Sequence, residues 1–480
     1  MRILFITKEW LFHERMGIMS LSSSLKQQGH SVRLAIVDKI GIPGMMQLVE
    51  EFGPHLIGYS AMTGEYPALL NFNKKLKEYF EFISVFGGPH ATFFPDIIYD
   101  SGVDAVCVGE GDIALPDFCK KVDESADFWK APNFRVKYKQ EVFKNDLLPL
   151  VEDLDTLPFP DRSIMYAADR DLLGEGRKMF LSGRGCPYHC SYCFNEKYNE
   201  IYRGKGNWVR YRSPRNIVHE ITDFCKTYPV DYVWIADDNF LVKPQRWFED
   251  FSVLYKAEVG LPFSVNVRAN NVSDYVMGQL KEAGLDSVWM GVECGNQELA
   301  NTILKRNLAN QQILAAAKIF HKYGIKFMTE NIFGLPVADP YSVDLQTLDF
   351  NLKLKPTLAI ASLLYPFPGT PVRKYAIANG FLREEAGFLQ TSKCSTMLEF
   401  PVKLKRRIEN LQKLFPIIVR FPALRRFTDI LTLLPLRPVY LLLFYFWYGY
   451  IQKFKIFAFR SLRKELGAYV RFWWSFLRKT

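Results

Sequence analysis

Four hundred and eighty residues, 49% hydrophobic and 23% charged, are too many for one ordinary domain and too apolar for a disordered chain. Sixty-one Lys and Arg against 51 Asp and Glu give a net charge of +10, yet residues 401–480 alone hold 17 basic and 3 acidic side chains. The first 400 residues are therefore mildly acidic, which argues against a nucleic-acid-binding protein and assigns any anionic partner to the tail.

Residues 1 to about 125 alternate short apolar runs (RILFIT, VRLAIV, LIGYS, ISVFGG, DAVCVGEG) with helix-length amphipathic stretches such as LLNFNKKLKEYF. That alternation predicts βαβ units and a parallel sheet. Gly58, Gly87, Gly88 and Gly109 stand just after strands, where loops leave a crevice. Each either lets backbone approach a ligand or serves a tight turn. LPLVEDLDTLPFPDRS, at 148–163, reads as a surface linker. From about 176 to 385 the alternation resumes in KMFLSG, YVWIAD, FSVNVR, SVWMGVE, IKFMTENIFG and LAIASLLYPF, six strands that fit a partial or full α/β barrel. Its polar departures fall at strand ends: Asp237, Asp238, Arg268, Glu293 and Glu330. The expected division is a domain over 1–145, a linker over 146–175, a barrel over 176–385 and a basic, aromatic-rich region over 386–480.

In that last region the uncharged run from Pro438 to Gln452 is shorter than the roughly 20 residues of a spanning helix. Aromatic residues, among them Trp447, Trp473 and Trp474, interleave with Lys and Arg, as in a segment lying on anionic lipid. A helical subdomain packed on the barrel, or a mouth for a greasy substrate, is the plainer reading. No secretory signal opens the chain, and the cysteines form no disulfide framework, so a cytoplasmic protein, peripheral on the inner face of a membrane, is expected.

GRGCPYHCSYCFN carries the strongest chemical signal, with Cys186, Cys190 and Cys193 in C-x3-C-x2-C spacing after the first barrel strand. Three thiolates on one loop can cap three irons of a 4Fe-4S cubane and leave the fourth open. A zinc site would need a fourth ligand, and His189 stands too close to Cys190 in sequence to reach the same metal easily. The scattered Cys107, Cys119, Cys225, Cys294 and Cys394 read as buried small hydrophobes.

With Tyr192 before the third cysteine and a barrel following, this motif resembles the radical S-adenosylmethionine superfamily. GHSVRLAIVD, VFGGPHATFFPD and GVDAVCVGEGD are similar to the cobalamin-binding domain that precedes the barrel in one large subgroup. The resemblance covers roughly four fifths of the chain and implies a flavodoxin-like cobalamin-binding domain, then a partial TIM-like barrel, then a helical tail. It implies three cofactors: a 4Fe-4S cluster on Cys186, Cys190 and Cys193, S-adenosylmethionine, and cobalamin. Tyr192, Asp237, Asp238, Arg268, Glu293, Gly334 and Pro336 match segments around the S-adenosylmethionine pocket. The stretch Trp10 to Gly17, Ser60, Gly64, Gly87, Gly88, His90 and Gly109 match those around the corrin. No D-x-H-x-x-G segment exists, so the cobalt should lack a histidine ligand, and His90 reads as a capping or tail-binding residue. The implied activity is C-methylation of an unactivated carbon through a 5′-deoxyadenosyl radical and methylcobalamin, on a small-molecule or lipid-like substrate, with flavodoxin or ferredoxin as electron donor. Cyclisation or rearrangement on the same architecture is the alternative, and a non-catalytic cobalamin sensor is the alternative of another class.

Overall fold

The computed structural model describes residues 1–8, 13–384 and 395–456; Trp10, Cys394, Trp473 and Trp474 lie outside them. Two compact units divide the chain. One comprises Met1–Gly185 and Lys197–Pro229, the other Cys186–Glu196 and Val230–Thr480.

In the first unit, β1 (Arg2–Thr7), β2 (Ser31–Ile36), β3 (Leu56–Ser60), β4 (Ile83–Gly87) and β5 (Ala105–Cys107) are parallel, and β6 (Phe134–Tyr138) and β7 (Glu141–Lys144) continue the sheet antiparallel. The order is β2-β1-β3-β4-β5-β6-β7. Its parallel part has the flavodoxin-like order, in which strand succession reverses between β1 and β3 and opens a crevice at their carboxyl ends. Leu4, Ile6, Ile57, Tyr59, Phe86 and Val106 form the sheet's side of a core closed by Val49, Phe52, Leu69 and Leu76 from helices Val37–Phe52 and Tyr66–Lys77.

The β6–β7 hairpin is an element that the alternation of strands and helices does not announce. Its turn residues Lys139 and Gln140 have φ of 47° and 69°, as a two-residue type I′ turn requires, without the Gly or Asn that usually signals one. The stretch read as a linker carries the helices Arg162–Ala168 and Arg170–Gly174, the first packed on β2. Three short strands follow: β8 (Arg177–Phe180), and the antiparallel pair β9 (Gly183–Arg184) and β10 (Arg210–Tyr211).

In the second unit β11 (Tyr232–Ile235), β12 (Phe263–Val267), β13 (Leu285–Glu293), β14 (Lys326–Phe333) and β15 (Leu358–Leu363) pair in parallel and in sequence order. A helix stands between each consecutive pair, as in a barrel's repeating βα unit. Polar N-caps start several of them: Ser273 accepts from the Val276 amide and Asp339 from the Ser342 amide. Helix Val402–Arg420 lays Ile408, Leu411, Phe415 and Ile418 in one cluster with Phe333, Ala361 and Leu363. From Val402 to Ile456 the tail is thus mostly helical, and helices Val402–Arg420 and Arg437–Ile451 pack on the strands. No helix among the described residues is long and apolar enough to cross a membrane.

Candidate functional site

The cysteine loop is tied down by hydrogen bonds to three parts of the second unit, at Ile303 and Leu304, at Val372 and at Asn271. The Ser191 amide donates to the Leu304 carbonyl at 3.0 Å, its hydroxyl to Ile303 O at 2.6 Å, and the Val372 amide to Ser191 O at 3.1 Å. Tyr188 donates to Asn271 Oδ1 at 2.7 Å and lies under the Arg268 guanidinium, 3.8 Å from its ring centre. So anchored, the loop presents Cys190 buried and Cys186 and Cys193 partly exposed.

Two guanidiniums reach the Cys190 sulfur, Arg268 Nη1 at 3.5 Å and Arg306 Nη1 at 3.8 Å. Burial first, then the negative charge of Asp238 and of the other two cysteines, pushes the Cys193 thiol up to about 12; burial also raises Cys186. Cys186 and Cys193 thus both sense Cys190, and positive charge beside them favours their thiolates. Among the described residues no three His, Cys, Asp or Glu side chains converge on a single metal ion. A cubane meets each thiolate with a different iron, so the donor set fits a cluster better than it fits zinc. Two fixed cations beside one sulfur suit the anionic group that such a cluster is.

Beyond Cys190 the network continues inward. Arg306 donates to Tyr192 Oη at 3.1 Å and to Gly291 O at 2.6 Å, and Tyr192 donates to Glu293 Oε1 at 3.0 Å. Arg268 Nη2 donates to the Arg306 carbonyl. Glu293 has φ of 67° at a bulge in β13, which turns its carboxylate toward Tyr192 and away from the regular pleat. Burial raises its carboxyl, against the pull of Arg306. One strand over, Glu330 is opposite Gly291; it is accessible to solvent, yet loss of hydration and the charge of Glu293 push its carboxyl up to about 7.

Tyr192, Arg268 and Glu293 are thus brought together at Cys190. Asp238 is exposed, and its charge is felt by Cys186 and Cys193. Asp237 is buried and its carboxylate accepts from Lys243 Nζ at 2.7 Å, a pair sheltered by Phe240 and Trp247. Gly334 has φ of 71°, gives its amide to the buried Asp344, and is, like Pro336, buried; a Cβ there would meet Ile408 at 3.4 Å. Sequence reasoning missed Arg306. It stands between Lys305 and Asn307, both at positive φ, in a charged loop that resembles solvated surface.

In the first unit the strand ends gather the other candidates. Ser60 ends β3 and Gly87 ends β4, joined by the Ala61 amide to Gly87 O at 3.1 Å. Gly88, at φ of 84°, leaves a gap that a Cβ would close against Ser60 Oγ at 3.1 Å and Ala61 N at 3.2 Å. Gly109, at φ of 79°, lies so close to the Tyr202 hydroxyl that any Cβ would collide with it; that hydroxyl accepts from the Glu110 amide at 2.8 Å. Gly64 is exposed with open space around its α-carbon. His90 is buried between the rings of Tyr66 and Phe94, at 4.4 and 5.0 Å, and burial lowers it to about 4. At the end of β1 the buried Thr7 Oγ1 has no hydrogen-bond partner. An orphaned hydroxyl and a glycine cradle at the carboxyl edge fit a polar ligand approached by backbone, as a corrin tail would be.

The model described as the radical SAM superfamily matches residues 180–340, and that described as the B12 binding domain matches residues 9–118. A protein of Pyrococcus horikoshii named as an uncharacterized methyltransferase is 25% identical over 378 residues, 76% of this chain and 79% of its own. The anaerobic magnesium-protoporphyrin IX monomethyl ester cyclase of Rubrivivax gelatinosus is 24% identical over 66% of this chain. The hopanoid C-3 methylase of Methylococcus capsulatus is 22% identical over 63%. The chain spans 57% and 58% of the lengths of these last two. The solved structure of the cobalamin-dependent S-adenosylmethionine radical enzyme OxsB, with aqua-cobalamin and S-adenosylmethionine bound, superposes with a TM-score of 0.68 at 13% identity, over 99% of this chain and 83% of that one. A parallel sheet of flavodoxin-like order and a three-cysteine loop on a βα-barrel unit define an iron-sulfur enzyme that also binds a corrinoid. The chain carries both domains of the cobalamin-binding radical S-adenosylmethionine enzymes, and its cofactors are a 4Fe-4S cluster, S-adenosylmethionine and cobalamin.

Proposed function

We propose that this enzyme is a C-methyltransferase that acts on an unactivated carbon of a lipid-like small molecule, at the inner face of a membrane, with flavodoxin or ferredoxin as electron donor. The observation that carries the reading is the anchored cysteine loop with two guanidiniums on Cys190, in a chain that also carries the B12-binding match. Methyltransferase and methylase names among the relatives support methyl transfer, and the hopanoid enzyme supports a polycyclic or isoprenoid substrate. When bound, the cluster supplies the electron that cleaves S-adenosylmethionine, and cobalamin supplies the methyl group.

The chain's own residues hold and shape the site in this reading. Cys186, Cys190 and Cys193 ligate the cluster. Arg268, Tyr192, Glu293 and Asp238 line the S-adenosylmethionine pocket, Asp237 braces that edge through Lys243, and Gly334 and Pro336 set the turn beside it. Ser60, Gly64, Gly87, Gly88 and Gly109 admit the corrinoid, and His90, buried and neutral, packs the cradle rather than ligating cobalt. Residues 1–145 form the cobalamin domain, 176–385 the radical core and 386–480 the membrane-facing region.

Anaerobic reconstitution with iron, sulfide and cobalamin, followed by mass spectrometry with an extracted lipid fraction, tests this. Both 5′-deoxyadenosine and S-adenosylhomocysteine should form, together with a lipid heavier by one methylene. The cyclase relative favours a second reading, ring closure, for which 5′-deoxyadenosine would form without S-adenosylhomocysteine.

A further inference from the structure

Helix Arg437–Ile451 carries two apolar faces. The inner face is satisfied: Ile451, followed by Ile456, clusters with Met328 of β14 and Leu358 of β15, and Trp447 packs beside them. The outer face carries Val439, Leu442, Leu443 and Phe446, spaced i, i+3, i+4 and i+7 and therefore in one stripe. Leu436 and Ile430 extend it toward helix Thr428–Leu433, and all six are between 40% and 63% exposed. A helix on a soluble core turns polar residues outward; this one turns large aliphatic and aromatic groups.

Three facts say what covers the stripe. The helix has 15 residues, about 22 Å, against a hydrocarbon layer of about 30 Å, so it does not span. Cations flank it: Arg426 lies one turn before Ile430, Arg437 opens the helix, and exposed Arg420 precedes Phe421, whose ring meets Trp447 at 5.5 Å. Between residues 401 and 456 stand only two acidic residues, Glu409 and Asp429, against 11 basic ones. Both are engaged, Glu409 by Arg437 and Asp429 by Arg407.

We infer that this stripe is a docking face for an anionic phospholipid bilayer, on which helix Arg437–Ile451 lies in the plane of the interface. Because the opposite side of the same helix packs on β14 and β15, docking sets the barrel strands against the lipid surface. This rests on the proposed membrane placement. Its test is read without turnover, so the methyl-transfer reading and the docking face fail separately.

The full chain is mixed with phosphatidylcholine vesicles, with and without phosphatidylglycerol, and floated on a density gradient. The protein should float with the anionic vesicles, about tenfold less with the neutral ones, and less again at high salt. Leu442→Glu/Phe446→Glu should lose flotation about tenfold, while Arg420→Glu/Arg426→Glu should abolish the preference for anionic lipid. The cobalamin absorbance of each variant checks that it has folded, and Leu442→Ser/Phe446→Ser replaces a glutamate pair that fails this check. Wild-type protein that stays with neither vesicle, or folded variants that float as well as wild type, would overturn the inference. So would a wild-type dimer in light scattering that the same variants convert to monomer, since a second copy would then be the occupant.

Discussion

Glu330 shows how a single side chain carries a measurable consequence of this fold. Its carboxyl lies near 7, raised first by lost hydration and then by Glu293, with Arg306 opposing. The native state then holds a proton that the unfolded chain releases, so stability falls as pH rises from the ordinary carboxyl range through 7. Glu330→Gln should remove that fall, gaining on the order of 1 kcal/mol at pH 8 and nothing near pH 4; the figure is reduced for the group's contact with solvent. Urea unfolding at the two pH values measures it, and an equal gain at both would contradict the assignment. Arg306 makes the opposite case. Its removal would leave the buried Glu293 and the half-buried Tyr192 without this cation, so Arg306→Ala should cost about 3 kcal/mol and reduce iron retained per chain, whereas Arg306→Lys should recover part of both. Unchanged iron content in the alanine variant would confine Arg306 to a packing role. The three cysteines were legible because their spacing is local. Arg306 was not, because its burial comes from Gly291 and Tyr192, 15 and 114 positions away.

Elements were legible where their period was. Strands β1 to β5 and β11 to β15 fall on the apolar runs that mark them, and the helices between them have one polar face. The β6–β7 hairpin escaped because Lys139 and Gln140 carry no turn signature; the tertiary pairing of β6 with β5 holds the turn against local preference. Lys139→Asn/Gln140→Gly should therefore stabilise the first unit by about 1 kcal/mol, read as a higher melting temperature. A lower one would mean that the lysine and glutamine side chains matter more than the backbone. Gly109 is the reverse case. Gly109→Ala forces a methyl into Tyr202 and should weaken both folding and cobalamin binding, while Gly64→Ala, in open space, should leave folding unchanged. Differential scanning fluorimetry with and without cobalamin separates the two.

Over the whole molecule, charge and chemistry are segregated. The acidic first 400 residues carry the cofactor machinery, and the basic tail carries the exposed apolar stripe. Composition revealed that asymmetry, but not that helix Arg437–Ile451 would pack one side on the barrel strands while its other side stays exposed. The three cofactors, in contrast, could be anticipated from motifs, the clustered thiols and the segments that resemble a cobalamin-binding domain. The central claim is that Cys186, Cys190 and Cys193 hold a 4Fe-4S cluster with one iron open to S-adenosylmethionine. Electron paramagnetic resonance of the anaerobically reduced protein tests it most directly. A reduced-cluster signal that shifts when S-adenosylmethionine is added, and vanishes in the triple Cys→Ala variant, is the predicted result. A signal indifferent to S-adenosylmethionine, or one that survives the loss of all three cysteines, would contradict the account.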